Sequence, residues 1–398
     1  MILRPPFGLQ WHITPICDQK CRHCYMYDGP RYQEEVKNQL GLDQCKQVID
    51  DYVACLRQWN AIGSIAFTGG DPLLRGDFFD ILAHACEQGL GGFLVMGNPF
   101  HLSPEVCEKL KQHRVVAYQM SIDGLEKTHD WNRGPGCFQK TLDAFRLLGE
   151  HGIERASMTT LTPENKDQLP DIMRLGHELG LEYVSWARVA LEGNAGDNYG
   201  ASQIDPFEFR ELYKQAMLLA RELEYGGSYT RFDRKDHLWV PLAFEEGWID
   251  SMEQLRATGA RRCGMGLGGL TVLSDGTVMP CRRFTEPVGK VPEQSFRDIW
   301  TGSEVLHKVR ESDNHMFCSK CGFKHWCLGC SAVASGVNQG DYFGPDPQCW
   351  RIAAKKRFMA EHGISEIPED AEMYPPPSDI APGRSRLDDP PVQGETSA

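Results

Sequence analysis

Three cysteines stand within eight residues, Cys17, Cys21 and Cys24, in the pattern C-x3-C-x2-C, and seven more lie between Cys263 and Cys349. The total of fifteen is odd, so complete intramolecular pairing into disulfides is impossible. Met1–Leu9 holds no apolar run of the kind a signal peptide needs. The cytoplasm is then the default compartment, and there grouped cysteines bind metal more often than they form disulfides. Three thiolates on one short loop suit three irons of a cubic 4Fe–4S cluster, with the fourth iron left to a small molecule. Zinc in a closed tetrahedral site would ask for a fourth ligand, for which His12 or His23 is at hand. The other five cysteines, Cys45, Cys55, Cys86, Cys107 and Cys137, are scattered through the N-terminal half. They read as small buried hydrophobes, because free cysteine is among the most buried residue types.

The chain around them has 398 residues, enough for two or three domains, and a net charge of −13. That acidic balance argues against nucleic acid as a partner. No stretch approaches the roughly 20 apolar residues of a membrane span. Short apolar runs at Leu9–Thr14, Ser64–Phe67, Phe93–Met96, Val116–Ile122, Ala156–Leu161 and Tyr183–Val189 read as strands. Amphipathic stretches such as Asp43–Trp59, Asp77–Gln88, Pro104–His113, Phe138–His151 and Asn165–Leu179 read as the helices between them. This alternation predicts an α/β fold of parallel strands, with six units forming an open, partial (β/α)6 barrel over residues 1–190. A bridging helical segment, 191–260, precedes a cysteine-rich domain, 261–350, and a C-terminal helix, 351–362. The tail, 363–398, contains Pro375-Pro376-Pro377, carries eight acidic residues against two arginines, and reads as disordered.

CDQKCRHC resembles the CxxxCxxC signature of the radical S-adenosylmethionine (radical SAM) superfamily, with His23 in the place of the usual aromatic residue before the last cysteine. The resemblance implies a cluster on Cys17, Cys21 and Cys24 whose open iron holds SAM. Reductive cleavage of SAM would then yield a 5′-deoxyadenosyl radical that abstracts hydrogen from substrate. Gly69-Gly70-Asp71-Pro72, after the second strand, is by itself a turn signal; within this family it resembles the GGEP-type motif that receives the SAM amino group. Ser121-Ile122-Asp123-Gly124 and the later Arg133 match segments that meet the SAM ribose and carboxylate, and Asn165 and Arg188 match looser positions around the adenosine. Gly97-Asn98-Pro99 departs from the Thr-Asn-Gly common in relatives and puts that loop's shape in doubt.

The downstream cysteines read Cys263-x12-Gly276-x4-Cys281, then Cys318-x2-Cys321-x5-Cys327-x2-Cys330, then Cys349. A zinc-ribbon pair would leave three of the seven over, whereas soft thiolates in this number suit iron–sulfur clusters. Gly268–Pro280 reads as a hairpin turning at Ser274-Asp275-Gly276, and Phe296–Val309 as a helix. The whole is similar to a SPASM domain, except that two residues rather than three separate Cys327 from Cys330. That resemblance implies two auxiliary clusters of the 4Fe–4S type. The inner one would use Cys263, Cys281 and Cys330, and the outer one Cys318, Cys321, Cys327 and Cys349. Leu255–Ala260 offers no extra cysteine, so the inner cluster is expected to keep an open iron or take a ligand of another kind.

The expectation is therefore a radical SAM/SPASM enzyme that modifies a ribosomally made peptide or protein by hydrogen abstraction, forming a thioether or carbon–carbon crosslink or another oxidation. Cofactor-precursor peptides of the pyrroloquinoline quinone and mycofactocin kind fall within that class. An external flavodoxin- or ferredoxin-type donor would supply electrons. With about eight residues before the first strand, the expectation is that a separate protein supplies leader recognition or that the barrel mouth alone binds the substrate. A formylglycine-forming sulfatase maturase is the first alternative, weakened by Arg282-Arg283 where that branch carries an aspartate. A second is an iron–sulfur electron-transfer protein without SAM chemistry.

Overall fold

Along β1 (Pro6–Thr14) burial alternates at first and then becomes continuous, ending with Trp11, His12, Ile13 and Thr14 all inside. Continuous burial is the mark of a strand covered on both faces within a parallel sheet. The computed structural model, which describes residues 4–26, 30–200, 203–284 and 286–363, places β1 in the interior of a ten-stranded sheet. The other strands are β2 (Ile62–Gly69), β3 (Phe93–Met96), β4 (Val115–Ser121), β5 (Glu154–Leu161) and β6 (Tyr183–Arg188). They are followed by β7 (Arg231–Arg234), β8 (Gly269–Val272), β9 (Thr277–Met279) and β10 (Gly289–Lys290). The order is β10-β9-β8-β1-β2-β3-β4-β5-β6-β7; it is parallel from β8 to β7, and β9 runs antiparallel to both its neighbours, β8 and β10.

Helices cross over between the parallel strands. In Leu42–Gln58 the buried positions Cys45, Val48, Ile49, Tyr52, Val53 and Leu56 form a stripe of helical period facing the sheet. Tyr52 fastens that helix: its hydroxyl donates to Phe7 O at 2.5 Å and accepts from Ser64 N at 3.1 Å, bridging β1 and β2. Of the five scattered cysteines, Cys45, Cys55, Cys107 and Cys137 are buried and Cys86 is half-buried.

The six expected strands and their helices are present in order, and the sheet continues past them. β7 lies inside the segment expected to be helical. Its sequence, Arg-Phe-Asp-Arg, hides the strand because the buried Phe232 stands alone among charged residues; it is nevertheless parallel to β6, from Tyr183↔Arg231 to Trp186↔Arg234. The predicted hairpin forms as β8 and β9, with Gly276 in its turn at φ +87°. What the pattern did not show is that β8 adds to β1, from Gly8↔Gly269 to Trp11↔Val272. Glycine is needed at that seam, since a Cβ on Gly269 would lie 2.2 Å from Gly8 O. Glu126–Arg133 forms a helix of its own ahead of the one at Cys137–Glu150, and the single helix expected over 296–309 breaks at Ser303, whose hydroxyl caps the second half by accepting from Leu306 N. The tail from 364 onward lies outside the described residues. No described helix is long and apolar enough to cross a membrane.

Candidate functional site

The loop after β1 carries Cys17, Cys21 and Cys24 and is held from below by the loop after β2. Gly70 N donates to Thr14 O and Asp71 N to Ile16 O, each at 2.8 Å. Two glycines permit this approach. Gly69 sits at φ +136°, and a Cβ on Gly70 would fall 2.0 Å from Ile16 O. Asp71 is fully buried; its Oδ1 accepts from Leu73 N at 2.8 Å and its Oδ2 from Asn98 N at 3.0 Å. Burial raises its pKa, partly offset by those two amides. Asn98 Nδ2 in turn donates to Asp18 Oδ1 at 2.6 Å and stands 3.9 Å from Cys17 Sγ. The Gly-Asn-Pro loop that departs from the family pattern thus still brings its asparagine to the cysteine loop.

The other flank of the loop rests on Asp123, at the C-terminal end of β4. Arg133 Nε donates to Asp123 Oδ2 at 2.5 Å, and its Nη1 lies 3.6 Å from Cys21 Sγ. His23 Nδ1 meets Asn132 Oδ1 at 3.0 Å and its Nε2 meets Arg133 Nη2 at 3.2 Å. Thr160 N adds a 2.8 Å bond to Asp123 Oδ1. Burial alone would raise the Asp123 pKa, but Arg133, His23 and His129 outweigh it and hold the carboxyl at about 2. Burial dominates at His23, whose pKa is lowered.

These walls enclose an open chamber of roughly 1060 Å³. Cys17, Cys21, Cys24, His23, Gly69, Gly70, Ser121 and Arg133 line it. Asp71 and Pro72 do not, and neither does Asn165, whose amide is committed to Asp123 O, Thr160 O and Thr162 N. Asn165 braces the turn after β5 and does not face the adenosine side as expected. Arg188 borders the chamber, yet its guanidinium is committed to Asp236, Asp346 and Gln348. It joins the sheet to the cysteine-rich region instead of reaching into the chamber.

The remaining cysteines fall into two sets. Cys263 feels the charges of Cys281 and Cys330, and burial foremost pushes its thiol up to about 12. Cys327 feels Cys349, Cys318 and Cys321. The latter four line one cavity of about 400 Å³ with the apolar Leu238, Pro241, Phe323 and Ile352. Cys330 is the N-cap of the helix Ser331–Val337.

No group of three or more His, Cys, Asp or Glu among the described residues closes on a single ion. Sets of soft sulfur donors around cavities fit multi-iron clusters instead.

Among the chamber residues that went unclaimed in the sequence are two cations. Arg282 and Arg283, directly after Cys281, line the same chamber. Arg283 Nη2 lies 3.7 Å from Cys330 Sγ and its Nη1 donates to Arg188 O at 3.1 Å. Their adjacency to a metal-ligand candidate was the available signal. They were read only for being unable to act as a base, not for what a cation binds.

Residues 11–176 match the radical SAM superfamily, and residues 263–322 match the iron–sulfur cluster-binding SPASM domain. The AdoMet-dependent heme synthase of Methanosarcina barkeri is 28% identical over 88% of this chain and 98% of its own length. The mycofactocin maturase MftC of Mycolicibacterium smegmatis is 26% identical over 87% of this chain and 83% of its own. Among solved structures, Streptococcus suis SuiB bound to S-adenosylmethionine superposes with a TM-score of 0.64 at 16% identity, covering 86% of this chain and 76% of that one. The chain belongs to the radical SAM superfamily and carries a C-terminal SPASM domain, and its cofactors are a 4Fe–4S cluster with SAM and the iron–sulfur centres of that domain.

Proposed function

We propose that this enzyme oxidises a ribosomally made peptide or protein by hydrogen abstraction in the chamber between β1–β6 and the cysteine-rich region. One observation carries the reading: one open chamber is lined both by Cys17, Cys21 and Cys24 and by Arg282 and Arg283. A substrate held there lies between the SAM site and the auxiliary cysteines.

When bound, a 4Fe–4S cluster supplies one electron to cleave SAM and so produces the 5′-deoxyadenosyl radical that takes a substrate hydrogen atom. Cys17, Cys21 and Cys24 would hold that cluster, while Cys263, Cys281 and Cys330 and then Cys318, Cys321, Cys327 and Cys349 would hold two auxiliary ones. Arg133, oriented by Asp123, offers a guanidinium to the SAM carboxylate, and Ser121 offers a hydroxyl beside it. Gly69 and Gly70 keep the floor of the chamber thin. The chain's domains are read as the barrel, the bridging segment with β7, and the cysteine-rich unit. Electrons come from a flavodoxin- or ferredoxin-type donor in the cytoplasm.

A second reading, synthesis of heme, is favoured by the 28% identity to the M. barkeri heme synthase. The sulfatase-maturase alternative lacks its carboxylate base, because Arg282 stands in that place. An electron-transfer protein would have no use for the open chamber.

The test is anaerobic reconstitution followed by reduction with SAM. Release of 5′-deoxyadenosine is expected. Full iron loading without it would leave only electron transfer. Mass changes in candidate cysteine-containing peptides, against changes in a heme precursor, decide between the two substrate readings.

A further inference from the structure

Beside the chamber, and sharing Tyr25, Met26, Arg282 and Arg283 with it, is a smaller annex of about 390 Å³. His12, from β1, lines the annex; it is 1% exposed and its Nε2 has no hydrogen-bond partner. A buried imidazole nitrogen left unsatisfied is costly unless something else completes it. The Arg282 guanidinium lies 5.6 Å from the Tyr25 ring centre and makes no hydrogen bond or ion pair among the described residues. Its neighbour Arg283 is differently placed, committed to Arg188 O and to the Cys330 sulfur.

The other charges at the annex have their own engagements. Arg31 is 3.6 Å from Glu35, and Glu35 also accepts from Ser274 Oγ at 3.2 Å. Glu192 borders the annex as well and has interactions of its own. Arg282 and Arg31 both depress the pKa of His12, after burial, which holds it at about 3. At neutral pH the ring is therefore uncharged and carries one N–H.

We infer that Arg282 and His12 form a binding site for a carboxylate of the substrate, which anchors the substrate while its reacting carbon sits in the main chamber. A guanidinium that forms no ion pair, near a buried imidazole nitrogen without a partner, is complementary to a carboxylate, toward which that nitrogen donates in the tautomer that carries its N–H there. In a chain of net −13, an uncompensated cation turned into the substrate chamber selects for an acidic ligand and against a cationic one. The inference rests on the proposed function for the identity of the chamber. It narrows the substrate to one bearing a carboxylate, whether an acidic side chain or chain terminus of a peptide or the acid group of a smaller molecule.

The probe is glutarate, followed on the anaerobically reconstituted full chain by saturation-transfer NMR, with neutral glutaramide as its counterpart. Glutarate is expected to bind and glutaramide not to. Arg282→Gln is expected to weaken glutarate about tenfold or more, the scale of one charge-assisted hydrogen bond. Arg282→Lys, which keeps the charge, should retain most of the affinity, and His12→Phe, which keeps the ring, should lose severalfold. Equal binding of glutarate to wild type and Arg282→Gln, or of glutaramide and glutarate to wild type, overturns the site. Displacement of glutarate by SAM also overturns it, because the annex would then take the cofactor's carboxylate. Displacement by acetyl-Ala-Glu-Ala-amide supports a peptide substrate; glutarate binding that this peptide leaves untouched supports the site for a smaller acid. Failure of the wild-type preparation to release 5′-deoxyadenosine sinks the proposed function and is read separately from glutarate binding.

Discussion

The Arg188 guanidinium, at the end of β6, forms a two-point ion pair with Asp346, 158 residues away: Nη1 to Oδ1 at 2.6 Å and Nη2 to Oδ2 at 2.8 Å. Asp346 also accepts from Cys330 N at 2.8 Å and Gln348 N at 3.0 Å, so it joins the barrel to the backbone between the two auxiliary cysteine sets. Both side chains are 1% exposed. Removing Arg188 strands Asp346 and Asp236 together as buried charges, at about 3–5 kcal/mol. Arg188→Met should lower chemical-denaturation stability by that order and Asp346→Asn by less, because Arg188 then keeps its ion pair with Asp236, and a double-mutant cycle should show that the two losses do not add. Additive effects would mean that the pair is not coupled.

The three cysteine sets predict separable iron. With all three sites filled as 4Fe–4S clusters, the reconstituted protein should carry about 11–12 irons. Replacing Cys17, Cys21 and Cys24 together with alanine should remove about four and abolish SAM cleavage, with the auxiliary absorption kept. Replacing Cys318 and Cys321 should remove a different set and leave SAM binding measurable. If either variant lost all its iron, the sets would not be independent.

Asp123 orients Arg133, and its pKa of about 2 keeps it charged at neutral pH. Asp123→Asn removes the charge that holds the guanidinium beside Cys21. Since hydrogen bonds to charged groups contribute about 1.5–3 kcal/mol, SAM affinity should fall by roughly ten- to a hundredfold. Arg133→Lys, which loses the fork geometry, should fall similarly. Equilibrium binding of SAM to the reconstituted protein measures this, and unchanged affinity in both variants would take Arg133 out of the cofactor site.

The first 190 residues were legible because apolar runs and amphipathic stretches alternate cleanly there; β3 was placed at Phe93–Met96 in sequence and structure alike. β7 was not legible, since one buried phenylalanine among charged residues carries no period. Nor was the β1–β8 seam, because pairing across 260 or so residues leaves no local trace beyond two glycines, Gly8 and Gly269. In the site, residues adjacent to cysteines could be named. The roles of Asp123, Asn98 and Arg282 depend on which loops meet. Asn165 and Arg188 were assigned by position in a motif, and the structure commits both to internal partners.

The closest backbone approach under the cysteine loop yields the last prediction. A Cβ on Gly70 would lie 2.0 Å from Ile16 O and 2.3 Å from Ile16 C, backbone atoms that cannot swing aside. Gly70→Ala must therefore push the Ile16–Cys17 segment away from the loop after β2 or break the Asp71 N to Ile16 O bond. Either shift moves Cys17 relative to Cys21 and Cys24, because Cys21 is tied elsewhere, through its carbonyl to Asn194 and its sulfur to Arg133. The variant should hold less iron at the N-terminal set and cleave SAM at least tenfold more slowly, on the scale of an ångström-sized misplacement. Gly76→Ala is the matched control: its Cβ would meet nothing within 4 Å, and it should behave as wild type. Iron content and 5′-deoxyadenosine release, compared between the two, check this; a Gly70→Ala enzyme indistinguishable from Gly76→Ala would show that the loop tolerates the displacement.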